Sequence, residues 1–487
     1  MTTTYDPAHP SYYDESDLRK EMTRVYDICN SCRLCHNLCS AFPSLFSLLD
    51  AHDDAHDDAH DDAHDDAHDD AHDDAASDHA GPGTAASGMA ASDPAGLEGH
   101  AGALTAAEQD RVVDECFQCK MCYVKCPYVP PHEWELDFPR LMMRAQAQRV
   151  RSGRATPRER LTSRVLASTD LNGQVGSALA PLLNPAMRPG SPLRAVVQAA
   201  TGIASQRLLP PYSRERFSSW WKRREASIPP PEAADSKAEV AVFPTCLVEY
   251  MEPAVGKDLV AVYERNGIRC SLPGGARCCG APWLHSGEVE RFVAQARRNV
   301  GILIGEVRAG RDVVVSQPTC AYVLKRDYPI YVGTVDAAKV AERTFDASEY
   351  LMKQHRENGG IDVAFSGSVP ESVTFHAACH MRAQNVGLKG RDLIRLTGAK
   401  VTVVDKCSGI DGTWGYRAEN YGLSKKVAQP MARAIAKVHS EQIAGECHLA
   451  NGSIEQETGV RPSHPVQVLA RAYGIASSSE HRRGVPR

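Results

Sequence analysis

The sequence of 487 residues predicts a multidomain α + α/β protein, in which a helical cysteine-rich domain precedes two homologous α/β lobes. Three observations predict this fold class. Two cysteine runs of equal spacing lie in the first third of the chain, strands alternate with helices further on, and the order of strands, helices and cysteines then repeats. The resulting domain boundaries are 1–149, 150–237, 238–360 and 361–477, with a tail at 478–487.

Composition narrows the classes of function. With 43% hydrophobic residues the chain can bury two or three ordinary cores, and no apolar run is long enough to span a bilayer. The 16 cysteines follow a start without a basic or apolar leader, which favours a reducing cytoplasm and metal ligation over disulfides. No basic stripe interleaved with aromatic residues indicates a nucleic-acid partner. We expect a cytoplasmic protein whose contact with the inner face of the cell membrane, where it occurs, is peripheral.

The two cysteine runs share the spacing C-x2-C-x2-C-x3-C. In this spacing three thiolates wrap one cubane cluster, while the fourth ligates a second cluster. Two copies therefore predict a ferredoxin-type domain with two [4Fe-4S] clusters that relay single electrons, rather than disulfides or zinc. The crossing pattern assigns Cys29, Cys32, Cys35 and Cys126 to one cluster, and Cys39, Cys116, Cys119 and Cys122 to the other.

Predicted helices flank both runs. Acidic residues before an apolar face indicate a helix over residues 14–28 that leads into Cys29. Thr105 and Glu108 form a capping box that starts another helix before Cys116. The apolar face of the first helix consists of Leu18, Met22, Val25 and Tyr26.

A low-complexity segment separates the two runs. The unit Ala-His-Asp-Asp repeats six times over residues 51–74, and a Gly/Ala/Ser-rich stretch follows. Dense like charge without apolar residues cannot offset chain entropy by burial, so we expect a disordered insertion over residues 51–102. Its histidines are four residues apart, which fits weak Zn or Ni binding as well as a repeat expansion without function.

Residues 150–237 are rich in Arg, Pro and Ser, with scattered apolar clusters, and we expect a partly helical linker. Trp220 and Trp221 stand before the basic run 222–224 near its end. Two alternatives fit this combination. The segment either attaches to membrane headgroups or packs on the protein or a partner subunit.

Alternating patterns follow the linker. Strands are expected at residues 239–245, 268–272 and 312–316, separated by helices at 253–266 and 289–309. The same order recurs in the last quarter of the chain.

Each strand of the two lobes leads to cysteines. Because the carboxyl ends of parallel strands meet at one edge of a sheet, these cysteines predict a ligand pocket, most economically placed between the lobes. The first interval between them is 32 residues in one lobe and 28 in the other. The cysteines are Cys246, Cys278, Cys279 and Cys320 in the first lobe, and Cys379, Cys407 and Cys447 in the second.

The sequence Cys278-Cys279-Gly280, together with Cys246 and Cys320, resembles the cysteine-rich CCG module of heterodisulfide reductase B subunits. Combined with the two-cluster domain, the chain is similar to the C subunit of anaerobic glycerol-3-phosphate dehydrogenase and to the glycolate and lactate oxidase iron-sulfur subunits. This resemblance covers nearly everything except the repeat. It implies metal ligation by the cysteines of both lobes.

Three segments resemble a narrower subgroup. Residues 116–140, 318–328 and 464–474 are similar to bacterial heterodisulfide reductase-like iron-sulfur proteins that are often encoded beside rubrerythrin. A rubrerythrin-like partner is therefore an expectation of the resemblance.

The lobes depart from the complete module. Val323 and Ala450 stand where the terminal C-x2-C pairs have their second cysteine, and Ser408 replaces one paired cysteine. The first lobe keeps four thiolates, enough for a further [4Fe-4S] cluster or a tetrahedral zinc. The second keeps three, which leaves open a cluster, a zinc ion, a redox dithiol or buried cysteines without metal.

Two histidines are candidate catalytic residues. His380 follows Cys379 and His448 follows Cys447, where an imidazole would supply protons or lower a thiol pKa. Against this role, sequence neighbours in a strand point to opposite faces.

The sequence contains no GxGxxG motif after a strand, no P-loop and no flavin signature, so substrate chemistry requires a partner. We expect an electron-transfer subunit that passes electrons from a flavoprotein or ferredoxin-type donor towards quinone or another acceptor. The alternative is an enzyme that reduces a disulfide or peroxide-linked substrate in the lobes. Metal storage or sensing fits the twofold ferredoxin spacing poorly.

Overall fold

The computed structural model describes residues 5–65, 100–227 and 237–475. Its N-terminal domain is built from helices, with 3-10 turns at Pro10–Tyr13 and His100–Ala103. The helices are α1 (Glu15–Cys32), α2 (Ala41–Asp65), α3 (Ala106–Glu115), α4 (Met121–Lys125) and α5 (Phe138–Arg151).

The helix expected before Cys29 is confirmed as α1. The Asp14 carboxylate caps its start by accepting a hydrogen bond from the Asp17 N–H at 2.7 Å. The helix continues to Cys32 and ends at Arg33, whose φ is 47°. All four residues of the expected apolar face are buried, namely Leu18, Met22, Val25 and Tyr26.

The capping box at the start of α3 is also confirmed. The Glu108 N–H donates to Thr105 Oγ1 at 3.3 Å, and the Thr105 N–H donates to the Glu108 carboxylate at 2.8 Å. Two orphan N–H groups of the helix end are thereby satisfied.

The disorder expected over residues 51–102 is wrong at both ends. α2 continues to Asp65, because its first turns bury apolar side chains in the domain core and extending an existing helix costs little. His52 contacts Glu108 of α3, with 3.2 Å between Nε2 and Oε2. The 3-10 turn before α3 is ordered as well, whereas residues 66–99 lie outside the described residues.

The linker is helical and packs on the rest of the chain. Trp221 is buried, and the Trp220 ring stacks on Phe217 with 5.4 Å between centroids. Trp221 belongs to the core of the first lobe and Trp220 packs against it, which favours packing on the protein over insertion among headgroups. The linker helices are α6 (Pro157–Ala167), α7 (Thr169–Ala178), α8 (Ala180–Ala186), α9 (Pro192–Thr201) and α10 (Phe217–Ser227).

The first lobe contains a parallel four-stranded sheet in the order β2-β1-β3-β4. Its strands are β1 (Ala238–Val242), β2 (Ile268–Ser271), β3 (Asp312–Val315) and β4 (Thr344–Asp346). The three expected strands and two expected helices lie within three residues of their expected ends.

The helices of the first lobe cover both faces of this sheet. A π-helical turn, Val323–Asp327, separates two of them. They are α11 (Cys246–Tyr250), α12 (Pro253–Arg265), α13 (Ala281–His285), α14 (Val289–Arg308), α15 (Pro318–Tyr322), α16 (Tyr328–Val332), α17 (Val335–Glu342) and α18 (Ala347–Glu357).

The second lobe contains a parallel three-stranded sheet in the order β6-β5-β7, with strands β5 (Ser372–His376), β6 (Lys400–Val404) and β7 (Gln442–Gly445). In both lobes the first strand is central, the second lies on one side and the third on the other. This shared order agrees with the expected duplication. The helices are α19 (Cys379–Ala383), α20 (Lys389–Arg395), α21 (Tyr421–Val438), α22 (His448–Thr458) and α23 (Pro465–Ala472), with a 3-10 turn at Trp414–Tyr416.

The two lobes share a hydrophobic core. Val255 and Leu259 of α12 belong to the same buried cluster as Val466 and Leu469 of α23. Within the described ranges, no helix is both long and apolar enough to cross a membrane.

Candidate functional site

Four cysteines from both N-terminal runs form the first cysteine set, Cys29, Cys32, Cys35 and Cys126. Burial raises the pKa of Cys29 well above its ordinary value, and the neighbouring thiols of Cys35, Cys126 and Cys32 raise it further. Cys126 therefore lies with the first three cysteines of the other run, as the crossing pattern requires. Cluster ligation by this set stays a prediction.

The remaining four N-terminal cysteines form the second cysteine set, Cys39, Cys116, Cys119 and Cys122. Burial and then the thiols of Cys119, Cys116 and Cys39 raise the pKa of Cys122. Neighbouring buried thiols resist ionisation because their negative charges would repel one another. A bound cation reverses this effect, since a metal ion deprotonates the thiols that ligate it.

The backbone around Cys119 adopts an unusual conformation. Gln118 and Lys120 have φ values of 53° and 64°, a region that costs a non-glycine residue about 1–3 kcal/mol. The buried Lys120 Nζ donates to Gln118 Oε1 at 2.5 Å and to Met143 Sδ at 3.6 Å. Its positive charge lowers the pKa of Cys116, although burial makes the net shift upward. The second set thus includes a fixed positive charge that favours thiolates.

The first-lobe set comprises Cys246, Cys278, Cys279 and Cys320. These thiols are in hydrogen-bonding contact in series, from Cys246 to Cys278, Cys279 and Cys320. The contacts with its two neighbours lower the pKa of Cys278, while the contact with Cys278, followed by burial, raises that of Cys246. The last three cysteines are only 2%, 1% and 4% exposed, whereas Cys246 is partly exposed, so the set forms a largely closed thiol pocket.

Asp170 of α7 contacts this pocket from the linker. Its carboxylate accepts a hydrogen bond from the Cys278 N–H at 3.2 Å and another from the Tyr250 hydroxyl at 3.4 Å. Burial raises the pKa of Asp170 to about 6. Asp170 was missed at the level of sequence, because it lies 108 residues from its partner and in no recognised motif.

The three cysteines of the second lobe have different contacts. Cys379 begins α19 and is in hydrogen-bonding contact with Cys407 and with Cys119 of the second cysteine set. Cys447 precedes α22, and its Sγ accepts a hydrogen bond from Gln317 Nε2 at 3.3 Å. All three thiols belong to partly exposed residues. The structure therefore joins Cys379 to the N-terminal domain, with Cys407 beside it, and ties Cys447 to the first lobe.

The departures from the complete module leave no substitute thiol. Val323, Ser408 and Ala450 are all buried, and the backbone oxygen of Ser408 accepts a hydrogen bond from Ser453 Oγ at 2.7 Å. Among the described residues, no three His, Cys, Asp or Glu side chains are grouped for a single metal ion. The thiols contact one another in pairs or in series instead.

The two candidate histidines lie at helix starts, so the strand alternation expected to separate them from the thiols is wrong. Residues that follow β5 and β7 begin α19 and α22, where neighbouring side chains do not alternate between faces. His380 is fully engaged, with Nδ1 at 2.9 Å from Thr319 Oγ1 and Nε2 at 3.0 Å from the Gln118 carbonyl oxygen. Within the part of the chain that the structure describes, both ring nitrogens of His448 lack hydrogen-bond partners, and burial lowers its pKa to about 4.

A cavity of about 210 Å³ lies where the N-terminal domain, the linker and both lobes meet. Its lining includes Cys116, Asp411, His285, Arg160 and Arg417. Burial raises the pKa of Asp411 to about 7, and its φ of 26° is strained. A concave site with convergent polar groups is typical of small-molecule binding. Asp411 and His285 were missed because neither belongs to a sequence motif.

Known proteins are similar to this chain in sequence. The CCG family, described as a cysteine-rich domain, matches residues 240–325 and 373–451. The B subunit of fumarate reductase (CoM/CoB) of Methanothermobacter marburgensis is 27% identical over 248 residues, covering 48% of this chain and 47% of that protein. Lactate utilization protein A of Bacillus cytotoxicus is 28% identical over 248 residues, covering 47% of this chain and 98% of that protein.

A longer match extends beyond the lobes. The C subunit of anaerobic glycerol-3-phosphate dehydrogenase of Escherichia coli (strain K12) is 31% identical over 402 residues, which covers 74% of this chain and 99% of that protein. The dehydrogenase and the fumarate reductase relatives are named as oxidoreductase subunits. The chain belongs to the family of the anaerobic glycerol-3-phosphate dehydrogenase C subunit, with two copies of the CCG cysteine-rich domain.

Proposed function

We propose that this chain is an electron-transfer subunit of an oxidoreductase, in which two [4Fe-4S] clusters relay electrons to the CCG lobes. The contact between Cys119 and Cys379 carries this proposal, because it gives the N-terminal domain a continuous path into the second lobe. The family relationship to subunits of a dehydrogenase and a reductase agrees with it.

The donor sets suit these cofactors. The first and second cysteine sets each offer four thiols, the number that one [4Fe-4S] cluster takes. The clusters supply one-electron redox chemistry. The chain's own part is to exclude water with the surrounding apolar core and to fix the distance between the sets. Lys120 adds a positive charge that partly offsets the thiolates of the second set.

The first-lobe set suits a third centre. Four thiols in contact, three of them in buried residues, are the number that a further [4Fe-4S] cluster takes, with a tetrahedral zinc as the alternative that metal analysis distinguishes. Asp170 helps to position this set, because it holds the backbone at Cys278.

We propose that the electron donor and the electron acceptor are separate molecules, because the sequence contains no nucleotide or flavin motif. The chain would take electrons from a flavoprotein dehydrogenase or a ferredoxin-type protein. It would pass them to quinone or another carrier. We place the protein in the cytoplasm, with peripheral contact at the inner face of the membrane.

The test is electron paramagnetic resonance of the anaerobically purified chain after reduction with dithionite. Cys29→Ala and Cys126→Ala should remove the same signal, and Cys39→Ala and Cys116→Ala should remove the other. Cys270→Ala, which alters a buried cysteine of β2, should leave both signals unchanged. Pairing by run instead of by crossing would contradict the ligand sets, and an iron-free protein would reject the proposal.

A second candidate function is favoured by the cavity. It places Asp411 and His285 beside Cys116 of the second set, which supports reduction of a disulfide or peroxide-linked substrate there, with a rubrerythrin-like partner. Reduced methyl viologen as donor, with glutathione disulfide or cumene hydroperoxide as substrate, tests this function. Turnover that falls in Asp411→Asn supports it, and substrate-independent oxidation of the donor rejects it.

Peripheral membrane contact is supported by exposed apolar side chains on three successive linker helices. Leu171, Leu182 and Val196 of these helices are 64%, 73% and 62% exposed. Exposed apolar side chains that form one patch mark interaction surfaces, and we propose such a patch here. We expect the chain to float with phosphatidylglycerol vesicles and Leu182→Ser to float less. Val335→Ser, on the equally exposed surface of α17, is the matched control, and equal flotation of both variants would contradict this surface.

A further inference from the structure

Cys379 and Cys407 leave the second sheet from neighbouring strands. His376 of β5 is in register with Val404 of β6, and each cysteine follows its strand by three residues. Adjacent strands lie about 4.8 Å apart, and the Cα atoms of disulfide-bonded cysteines lie about 4.4–6.8 Å apart. Neighbouring strand ends at one sheet edge therefore lead to the two cysteines, and their side chains are in contact.

Hydrogen bonds hold this arrangement beyond the ends of the strands. His376 Nε2 lies 3.0 Å from the carbonyl oxygen of Lys406, which ties the segment before Cys407 to β5. The Gly409 N–H donates to Cys407 Sγ at 3.3 Å. The Cys407 thiol is in hydrogen-bonding contact with Cys379, and both residues are free, partly exposed cysteines.

The pair also contacts the second cysteine set. Helix α19 packs against α4, and His380 anchors this contact by bonding to the Gln118 carbonyl oxygen and to Thr319. His380 is next to Cys379 in the sequence, Gln118 is next to Cys119, and these two thiols are in contact. A cysteine predicted to ligate a cluster is thus the immediate neighbour of the pair.

The third cysteine of the lobe is held elsewhere. Gln317 donates to Cys447 Sγ at 3.3 Å and accepts the His448 N–H at 3.1 Å. Ser408 occupies the place of a fourth thiol. Two thiols are too few for the four-ligand sites that cysteines form with zinc or a cubane, but they suffice for a disulfide.

We propose that Cys379 and Cys407 form a redox-active pair that alternates between dithiol and disulfide beside the second cysteine set. This inference rests on the proposed function, because its electrons come from the flavoprotein or ferredoxin-type donor through the N-terminal domain. During reduction the Sγ–Sγ bond breaks, two electrons arrive one at a time, and two protons bind to give two thiols. Oxidation forms the bond and releases the same electrons and protons. The pair thereby joins one-electron transfer to a two-electron step.

The experiment uses the full-length protein, purified anaerobically with its bound metal. Samples oxidised with ferricyanide or reduced with dithionite are denatured in iodoacetamide, digested with trypsin and analysed by mass spectrometry. After oxidation we expect a disulfide between the peptides 357–382 and 407–417, and after reduction two alkylated peptides. Cys447→Ser should behave as wild type, while Cys407→Ser should form no linked peptide.

An electron count adds a second readout. In anaerobic titration with dithionite, wild type and Cys447→Ser should each take up about two electrons more per chain than Cys407→Ser, while iron content stays equal. Iron-containing wild type without the linked peptide would overturn this inference alone, as would loss of iron in Cys407→Ser. Wild type without iron would overturn the proposed function as well.

Discussion

The two lobes share a strand order, but their cysteines differ in exposure and in contacts. In the first lobe, four thiols are in contact in series, and three of them are no more than 4% exposed. In the second lobe, all three cysteines are partly exposed, and one of them, Cys379, contacts Cys119 of the N-terminal domain and Cys407 of its own lobe. The first lobe thus encloses three of its four thiols, whereas the second presents Cys379 to another domain.

This difference shows what the duplicated fold determines and what it leaves free. Parallel strands with a central first strand bring cysteines to one sheet edge in both lobes. The surroundings then decide their chemistry. Asp170 contacts the first edge from the linker, while the α4–α19 contact brings Cys119 to the second.

The largest expected effect is a loss of bound iron, which among the cysteines of the two lobes should occur only when a ligand of the first lobe is removed. Cys279→Ala removes a ligand from the closed pocket, so bound iron should fall by about four atoms per chain. Cys270→Ala also removes a buried thiol of the first lobe but should leave iron unchanged. Metal analysis by mass spectrometry measures both variants. Equal iron in Cys279→Ala and wild type would contradict a cluster in the first lobe. Loss of zinc in place of iron would show that the metal of the first lobe is zinc.

The next effect compares the two histidines of the second lobe. His380→Leu leaves Thr319 and the Gln118 carbonyl without their partner, which costs about 1–3 kcal/mol for each buried group left unsatisfied. His448→Leu removes a ring whose nitrogens have no hydrogen-bond partner among the described residues, so unfolding free energy should change little or rise.

Urea unfolding under anaerobic conditions measures this difference between the histidines. We also expect slower reduction of the Cys379–Cys407 disulfide in His380→Leu, because the contact with Cys119 loses its anchor. Equal destabilisation by both substitutions would contradict the distinction.

A smaller effect is expected at the first lobe. Asp170→Ala leaves the Cys278 N–H without its acceptor, which should lower the free energy of unfolding by about 1–3 kcal/mol. Asp170→Asn keeps an acceptor oxygen and should recover most of that loss. Asp54→Ala, on the exposed side of α2, controls for the loss of a carboxylate. If Asp170→Ala unfolds as wild type does, the linker does not support the pocket.

Local sequence signals predicted much of the fold. Helix α1, the capping box of α3 and the strands of both lobes follow from periodicity and capping, which act over a few residues. The extension of α2 into the repeat was missed, because composition argues against burial but not against continuing a helix that the core already holds.

The sites were predicted less completely than the fold. The spacing of the cysteines identified them as candidate ligands, because the ligands of iron-sulfur clusters recur at fixed intervals along the sequence. It could not separate Cys447 from Cys379 and Cys407, because that separation depends on Gln317 from the other lobe. Asp170 and Asp411 act through tertiary contacts alone, and no local pattern marks such residues.

The most direct measurement is iron per chain in anaerobically purified wild type and Cys407→Ser. We predict about twelve iron atoms in both, from two clusters in the N-terminal domain and one in the first lobe. About eight in wild type would leave the first lobe without a cluster. About sixteen, or a fall in Cys407→Ser, would place a cluster in the second lobe and contradict the contrast between a closed metal pocket and an open thiol pair.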